Sequence, residues 1–231
     1  MEIGWLRTIL LTVAILCAAW PGVAQTTAPL VAALTPEQTQ ASQALAAKFD
    51  RLAAMNEARA ATFKDRPLGA LAQKTFDAFA NFLIAGAQMM PESGYAFRPT
   101  PDVRNFGEQI NHATATNYSF CNQGGVPLGF ERRTANLKSV TSKEAIVKAL
   151  EDSVAYCTSL LAAASEAWLM EPASNLGGTG SGLFSGMRVY AFIYAGVHSA
   201  EDYGTITTYL RMQGLVPPST AISRVPVKAG Q

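Results

Sequence analysis

The sequence predicts an all-α protein, a four-helix bundle with one extra helix in front. Three observations carry this. No stretch alternates apolar and polar residues as a half-buried strand would. Helix starts recur, each marked by a capping residue, a first-turn proline or both. The amphipathic segments between them run for several turns each.

The first helix opens at Thr35-Pro36-Glu37-Gln38, a cap, a proline at the first helical position and a capping-box partner. The alanine-rich run after it continues to about Lys64. Its apolar face is thin (Leu45, Phe49, Leu52, Met55), as suits a helix on the outside of a bundle. Pro67 breaks the pattern. Residues 68–90 form a second helix with a heavy apolar face of Leu71, Phe79, Phe82, Leu83, Ile84, Met89 and Met90, and Pro91 ends it. Thr100-Pro101-Asp102 offers a cap, a proline and a first-turn acid to a third helix, whose stripe is Val103, Phe106, Ile110, Asn117 and Phe120. Residues 123–140 are glycine, proline and polar side chains, too many for a tight helix–helix turn. Thr141 and Glu144 supply a capping box for a fourth helix through Tyr156 and Leu161 to about Trp168. The stretch PASNLGGTGSGLFSG lacks the Gly-Lys-Ser/Thr ending of a phosphate loop and follows a helix, so it reads as a linker. The last helix covers 187–213, with Gly214 as its C-terminal cap and Pro217-Pro218 preventing continuation. The long 123–140 connection permits a crossover, which would let the third and fourth helices run parallel.

The first residues suggest a compartment. Arg7, the apolar run ILLTVAILCAA and the small residues Gly22 and Ala24 follow the order of a secretory signal, with cleavage expected after Ala24. The run is shorter than the ~20 apolar residues that a spanning helix needs, so no stable membrane anchor is expected. Cys17 follows Leu16, where a lipoprotein signal has Gly or Ala before its cysteine. The expected location is across the inner membrane, in the periplasm. The formal net charge of the whole chain is +1, and Glu2 and Arg7 leave together with the signal. The one basic cluster, Glu131-Arg132-Arg133, is short, so nucleic acid is not an expected partner.

The chain has two histidines, His112 in the third helix and His198 in the last. Asp202 follows His198 at the i, i+4 spacing that puts both side chains on one helix face. A bundle can direct all three inward, and two imidazoles with one carboxylate leave open coordination positions, as catalytic metal sites do. The spacing equally fits two ordinary partly buried histidines with local hydrogen bonds. A serine hydrolase would want a Gly-x-Ser-x-Gly elbow, which does not occur. Cys121 lies nine residues from His112 on one helix, too far for a cysteine–histidine pair. Glu151 and Asp152 belong to an exposed helix face.

Two stretches resemble a known family. MMPESGYAFRPTPDVRNFGEQINHATATNYSFC has a Met-Pro, a Tyr-x-Phe-x-Pro-Thr-Pro segment, Phe-Gly, a histidine and an Asn-Tyr; HSAEDYGTITTYLRMQGLVPPST has a Tyr-Gly, a Tyr-Leu-Arg and a Val-Pro-Pro-Ser. Both are similar to motifs of the DinB-like superfamily, in the same order. The resemblance implies an up-down-down-up four-helix bundle with a long crossover. It implies a divalent metal held by one histidine of the second bundle helix and two of the last, positions matched here by His112, His198 and Asp202. Aspartate thus stands where the family has its third histidine. Zinc or nickel come first as the ion, with iron or manganese admitted because a carboxylate is a harder ligand than an imidazole. The expected layout is a signal at 1–24, an extension with one helix at 25–66, the bundle at 67–220 and a tail at 221–231.

The function implied is metal-dependent hydrolysis or thiol-dependent transfer on a small-molecule substrate, with the catalytic residues left unassigned. A non-catalytic metal- or ligand-binding module and a scaffold with an empty site stand as alternatives, and a homodimer is left open. The topology also bears on Cys121 and Cys157. Parallel helices would bring them to within about a turn of the same height, so a disulfide becomes feasible in an oxidising compartment. Two packed free thiols remain the alternative.

Overall fold

A computed structural model describes residues 35–58, 64–125, 129, 131–173 and 186–223. The segment with signal character, the central part of the glycine-rich stretch and the tail from 224 lie outside these residues. Among them the helices are α1 (Pro36–Ala58), α2 (Pro67–Met89), α3 (Phe106–Gly125), α4 (Lys143–Ala163), α5 (Glu166–Met170), α6 (Val189–Met212) and α7 (Pro218–Ile222). None is long and apolar enough to cross a membrane.

The bundle consists of α2, α3, α4 and α6, and its topology follows from which residues meet. Between α3 and α4, Asn117 bonds Ser153 and Asn122 bonds Tyr156, so the positions ascend together and the helices are parallel. Between α2 and α6, Thr75 approaches Gly196, Phe82 stacks on Tyr203 and Gly86 meets Ile206, again a parallel pair. Across α3 and α6 the order reverses: Arg104 meets Tyr209, Gln109 meets Asp202 and Phe120 meets Tyr194. Gln88 with Glu151 and Asp77 with Thr158 make α2 and α4 antiparallel. The result is up-down-down-up, with the crossover between α3 and α4. The core between them is built on fully buried Phe76, Leu83, Phe106, Ile110, Leu150, Leu160, Phe192, Ile206 and Leu210.

Several helix ends depart from the expected ones. Thr100-Pro101-Asp102 forms a turn rather than a helix start, and Val103 is 39% exposed. The true cap of α3 is Asn105. Its side chain accepts from Glu108 N at 2.8 Å, and Glu108 accepts from Asn105 N at 2.8 Å, a reciprocal capping box five residues later. At α4 the cap is Ser142 rather than Thr141, accepting from Ala145 N. That helix stops at Ala163 because Ser165 caps a new short helix by accepting from Trp168 N. α1 ends at Ala58, and residues 59–63 lie outside the described set. Pro67 starts α2 instead of merely separating two helices. Leu71, expected on the inner face, is 55% exposed, and Phe76 takes the core position.

The ends of α2 and α4 are joined by charge. Arg66, just before α2, donates to Leu161 O, Ala162 O and Ala164 O, the unpaired carbonyls at the end of α4. Glu166 in turn accepts from Leu68 N and Gly69 N, the free amides at the start of α2. Each charge has the sign that its helix end favours. At the end of α6, Gly214 adopts φ 73°, its N–H reaches Arg211 O, and Leu215 N reaches Leu210 O, a Schellman turn. The ends of the glycine-rich stretch pair as a two-residue antiparallel bridge, Pro172–Ala173 with Gly186–Met187. α1 packs on the outside, where Phe49 stacks on Phe82 at 4.6 Å, and it also touches α7.

Close approach of α2 and α6 depends on Gly196. A Cβ there would stand 3.0 Å from Phe76 N and 3.1 Å from Thr75 C, backbone atoms that cannot turn aside. Gly196→Ala is expected to destabilise the protein by about 1–3 kcal/mol as the helices are forced apart. Gly204→Ala, on the same helix but facing open space, is expected to stabilise it by roughly 0.5–1 kcal/mol. Denaturant melts of both variants check the contrast in sign.

Candidate metal centre

α3 runs down while α6 runs up beside it, so one inward-facing turn of each meets at the same height. His112 on α3 and His198 and Asp202 on α6 come together there. Each offers a ligand atom, and these atoms lie within 4.8 Å of one another. The two imidazole rings meet edge to face, with centroids 5.3 Å apart. Such a group could hold a metal ion. The cavity around it measures about 770 Å³ and is bounded by the 99–104 turn, α3 and α6.

The surrounding residues orient each member of the trio. Gln109, one turn before His112, donates from Nε2 to Asp202 Oδ1 at 2.7 Å in the buried interior. Glu201 Oε2 lies 3.1 Å from His198 Nδ1. An ionised carboxylate can only accept, so this contact makes Nδ1 the protonated nitrogen and leaves the Nε2 lone pair free. Phe120 and Tyr194 pack against the His198 ring and hold its plane. Asp202 itself is 2% exposed, yet its Oδ2 is buried with no hydrogen-bond partner. A buried carboxylate oxygen without a partner is costly, and a cation at this point would satisfy it. The donor set therefore fits a divalent ion.

Electrostatics agree. Burial pushes the Asp202 carboxyl up to about 6, and Glu201 adds to that, against the opposing pull of His198, Arg104 and Gln109. The His112 imidazole is held below its usual value by burial first, then by Arg104 and His198, which keeps it neutral and able to ligate. A carboxyl that keeps its proton more tightly when folded contributes stability below the unfolded pKa, and that stability is lost as pH rises through about 6. Without metal, Asp202→Asn should match the wild type near pH 4 and exceed it near pH 7, by on the order of 2 kcal/mol. The readout is the difference between the two proteins in paired thermal melts.

Gln109 and Glu201 were not legible as site residues from spacing alone. The signal that could have found them is local: Gln109-x-x-His112 and His198-x-x-Glu201 are both i, i+3 pairs on their helices. Cys121 and Cys157 lie elsewhere, further along α3 and α4, with their sulfurs 1.96 Å apart and their Cα atoms 5.4 Å apart. Glu151 accepts a hydrogen bond from Gln88, and Asp152 pairs with Lys148; neither approaches the trio.

No curated protein matches the chain. The family model of the DinB superfamily matches residues 80–198, just over half of the 231. The matched segment begins within α2, contains all of α3 and α4, and reaches His198 but stops short of Asp202. With the up-down-down-up bundle and this match together, the chain belongs to the DinB superfamily.

Proposed function

We propose that this protein is an exported metalloenzyme in which His112, His198 and Asp202 hold one divalent ion. The observation that carries the reading is Asp202 Oδ2, buried without a partner beside two imidazoles. Three protein ligands leave coordination positions for water and substrate, and an ion so held lowers the pKa of bound water or polarises a substrate oxygen. The chain's own residues position that chemistry. Glu201 fixes the His198 tautomer, Gln109 holds Asp202 in place, and the cavity admits a small molecule beside the trio.

Between hydrolysis and thiol-dependent transfer, hydrolysis is favoured, because the low-molecular-weight thiols of the cytosol are scarce in the expected periplasmic location. Zinc or nickel are the first candidates for the ion, and the carboxylate ligand also admits iron or manganese. The test uses protein exported to the periplasm and purified without a histidine tag. Mass spectrometry should give a chain starting near Gln25, and elemental analysis about one divalent ion per chain. An ester panel and a glutathione-transfer assay follow, before and after chelation. Turnover that vanishes with the ion and returns on its restoration supports the enzyme. An ion without turnover on any substrate would indicate a binding module, and no ion even after reconstitution would indicate an empty scaffold.

A further inference from the structure

A second cavity, of about 950 Å³, shares His112 and Arg104 with the metal cavity. It lies between the 3-10 turn Glu92–Ala96, the first half of α3 and the 137–141 part of the crossover. Its size suits a small organic ligand. Tyr95, Leu137, Val140 and Ile146 give it a largely apolar wall.

Its charged groups are not equivalent. Glu92 accepts from Lys143 N at 3.2 Å, and Glu108 is bound both to Arg98 at 2.8 Å and to Asn105 N. The two cations are uncommitted by comparison. Arg104 makes one long contact, 3.5 Å to Gln109 Oε1, and neither Arg104 nor Lys138 joins an ion pair among the described residues. A guanidinium thus stands between an apolar cavity and a candidate metal centre, paired with no carboxylate among the described residues. The same wall holds a buried acceptor, Asn111 Oδ1, without a partner, while its Nδ2 donates to Leu137 O and Val140 O. A ligand N–H or O–H would satisfy that oxygen.

We propose that this cavity binds the substrate as an organic carboxylate with an apolar body, its carboxylate gripped by the Arg104 fork with Lys138 adding charge, and its reactive portion directed past His112. The guanidinium plane matches a carboxylate in bidentate fashion, and a single carboxylate suits a cavity whose cations are partly offset by Glu92 and Glu108. A dianion would meet more repulsion from those acids. This rests on the metalloenzyme reading for what happens to the substrate, but the binding claim is separable from it.

The test measures calorimetric binding of N-octanoylglycine, which has an apolar tail, an amide N–H and a carboxylate, beside its uncharged C-terminal amide. The metal content of each protein is recorded in parallel. The acid is expected to bind the metal-loaded protein about tenfold or more tightly than the amide, as one charge-assisted pair provides. Arg104→Gln should erase that preference, Arg104→Lys should keep part of it, and Lys138→Gln should reduce it, all read at saturating metal and with melting temperature unchanged. Arg104 is exposed, and the hydrogen bond it receives from Tyr209 goes to its backbone oxygen, so substitution leaves the fold in place. The preference should also survive chelation, which separates this claim from the presence of the ion. Equal binding of acid and amide, or a preference that Arg104→Gln retains, overturns the proposal. A preference lost on chelation would place the carboxylate on the ion instead and overturns it equally.

Discussion

Asp202→Ala is expected to lower metal affinity by at least about a hundredfold, since even outer partners of metal ligands are worth about 10–100-fold. The size of the effect follows from the geometry. Asp202 supplies the one carboxylate of the trio, one of its oxygens is held by Gln109, and the other is buried with nothing else to bind. His112→Ala and His198→Ala should lose the ion to a similar extent, because the two remaining donors cannot fix it. Glu201→Gln should have a smaller effect of roughly tenfold, since it disturbs only the tautomer and orientation of His198. Asp202→His tests the character of the site. A softer nitrogen in place of oxygen should tighten zinc or nickel and weaken manganese. Competition titrations with a chromogenic chelator across these variants decide the matter. Equal affinity in Asp202→Ala and wild type would remove Asp202 from the ligand set.

Loss of the Cys121–Cys157 bond is the second large effect expected. With α3 beginning at Phe106, Cys121 lies 15 residues past its first position and Cys157 lies 14 past Lys143, so parallel helices bring them level. The Cα separation of 5.4 Å is within bridging range. A bond closing 36 residues restricts the unfolded chain by roughly 3–4 kcal/mol. For a domain of this size that is on the order of 10 °C in melting temperature. Both cysteines are fully buried, so Cys121→Ala with Cys157→Ala also removes two buried sulfurs, a packing loss in the same direction as loss of the bond. Melts of the double variant and the unreduced parent should differ by at least that amount. The bond requires an oxidising compartment, so the measurement belongs to exported protein. Two titratable thiols per unfolded, unreduced chain would show that the bond does not form there.

The Cys121 pairing illustrates how an error in a helix boundary propagates. Taking α3 to start at Thr100 puts Cys121 about a turn further along its helix than Cys157. The capping box at Asn105 and Glu108 removes that offset. Thr-Pro-Asp and Asn-x-x-Glu are both sound local start signals, only five residues apart, and local chemistry does not rank them. Tertiary contacts do: Phe106 is the first residue whose side chain enters the core, packing on Tyr95 and Tyr209. Leu71 and Phe76 show the same limit on α2. Either can continue an apolar stripe, and which one faces inward depends on where α6 comes closest, at Gly196.

By itself the sequence determined the helical class, the number of long helices, a connection after the third long enough for a crossover, and three residues with metal-binding chemistry. These are legible because period, caps and residue type are local properties of the chain. It left open whether His112 would meet His198 and Asp202, which lie more than 80 residues further on. Only the tertiary structure decided that, through the antiparallel packing of α3 on α6, along with the roles of Gln109 and Glu201 and the placing of Arg104 between two cavities. The physical reason is that a site is a meeting of faces. The rotation and height of each helix are set by side chains packed between elements distant in sequence, and no short-range pattern records them.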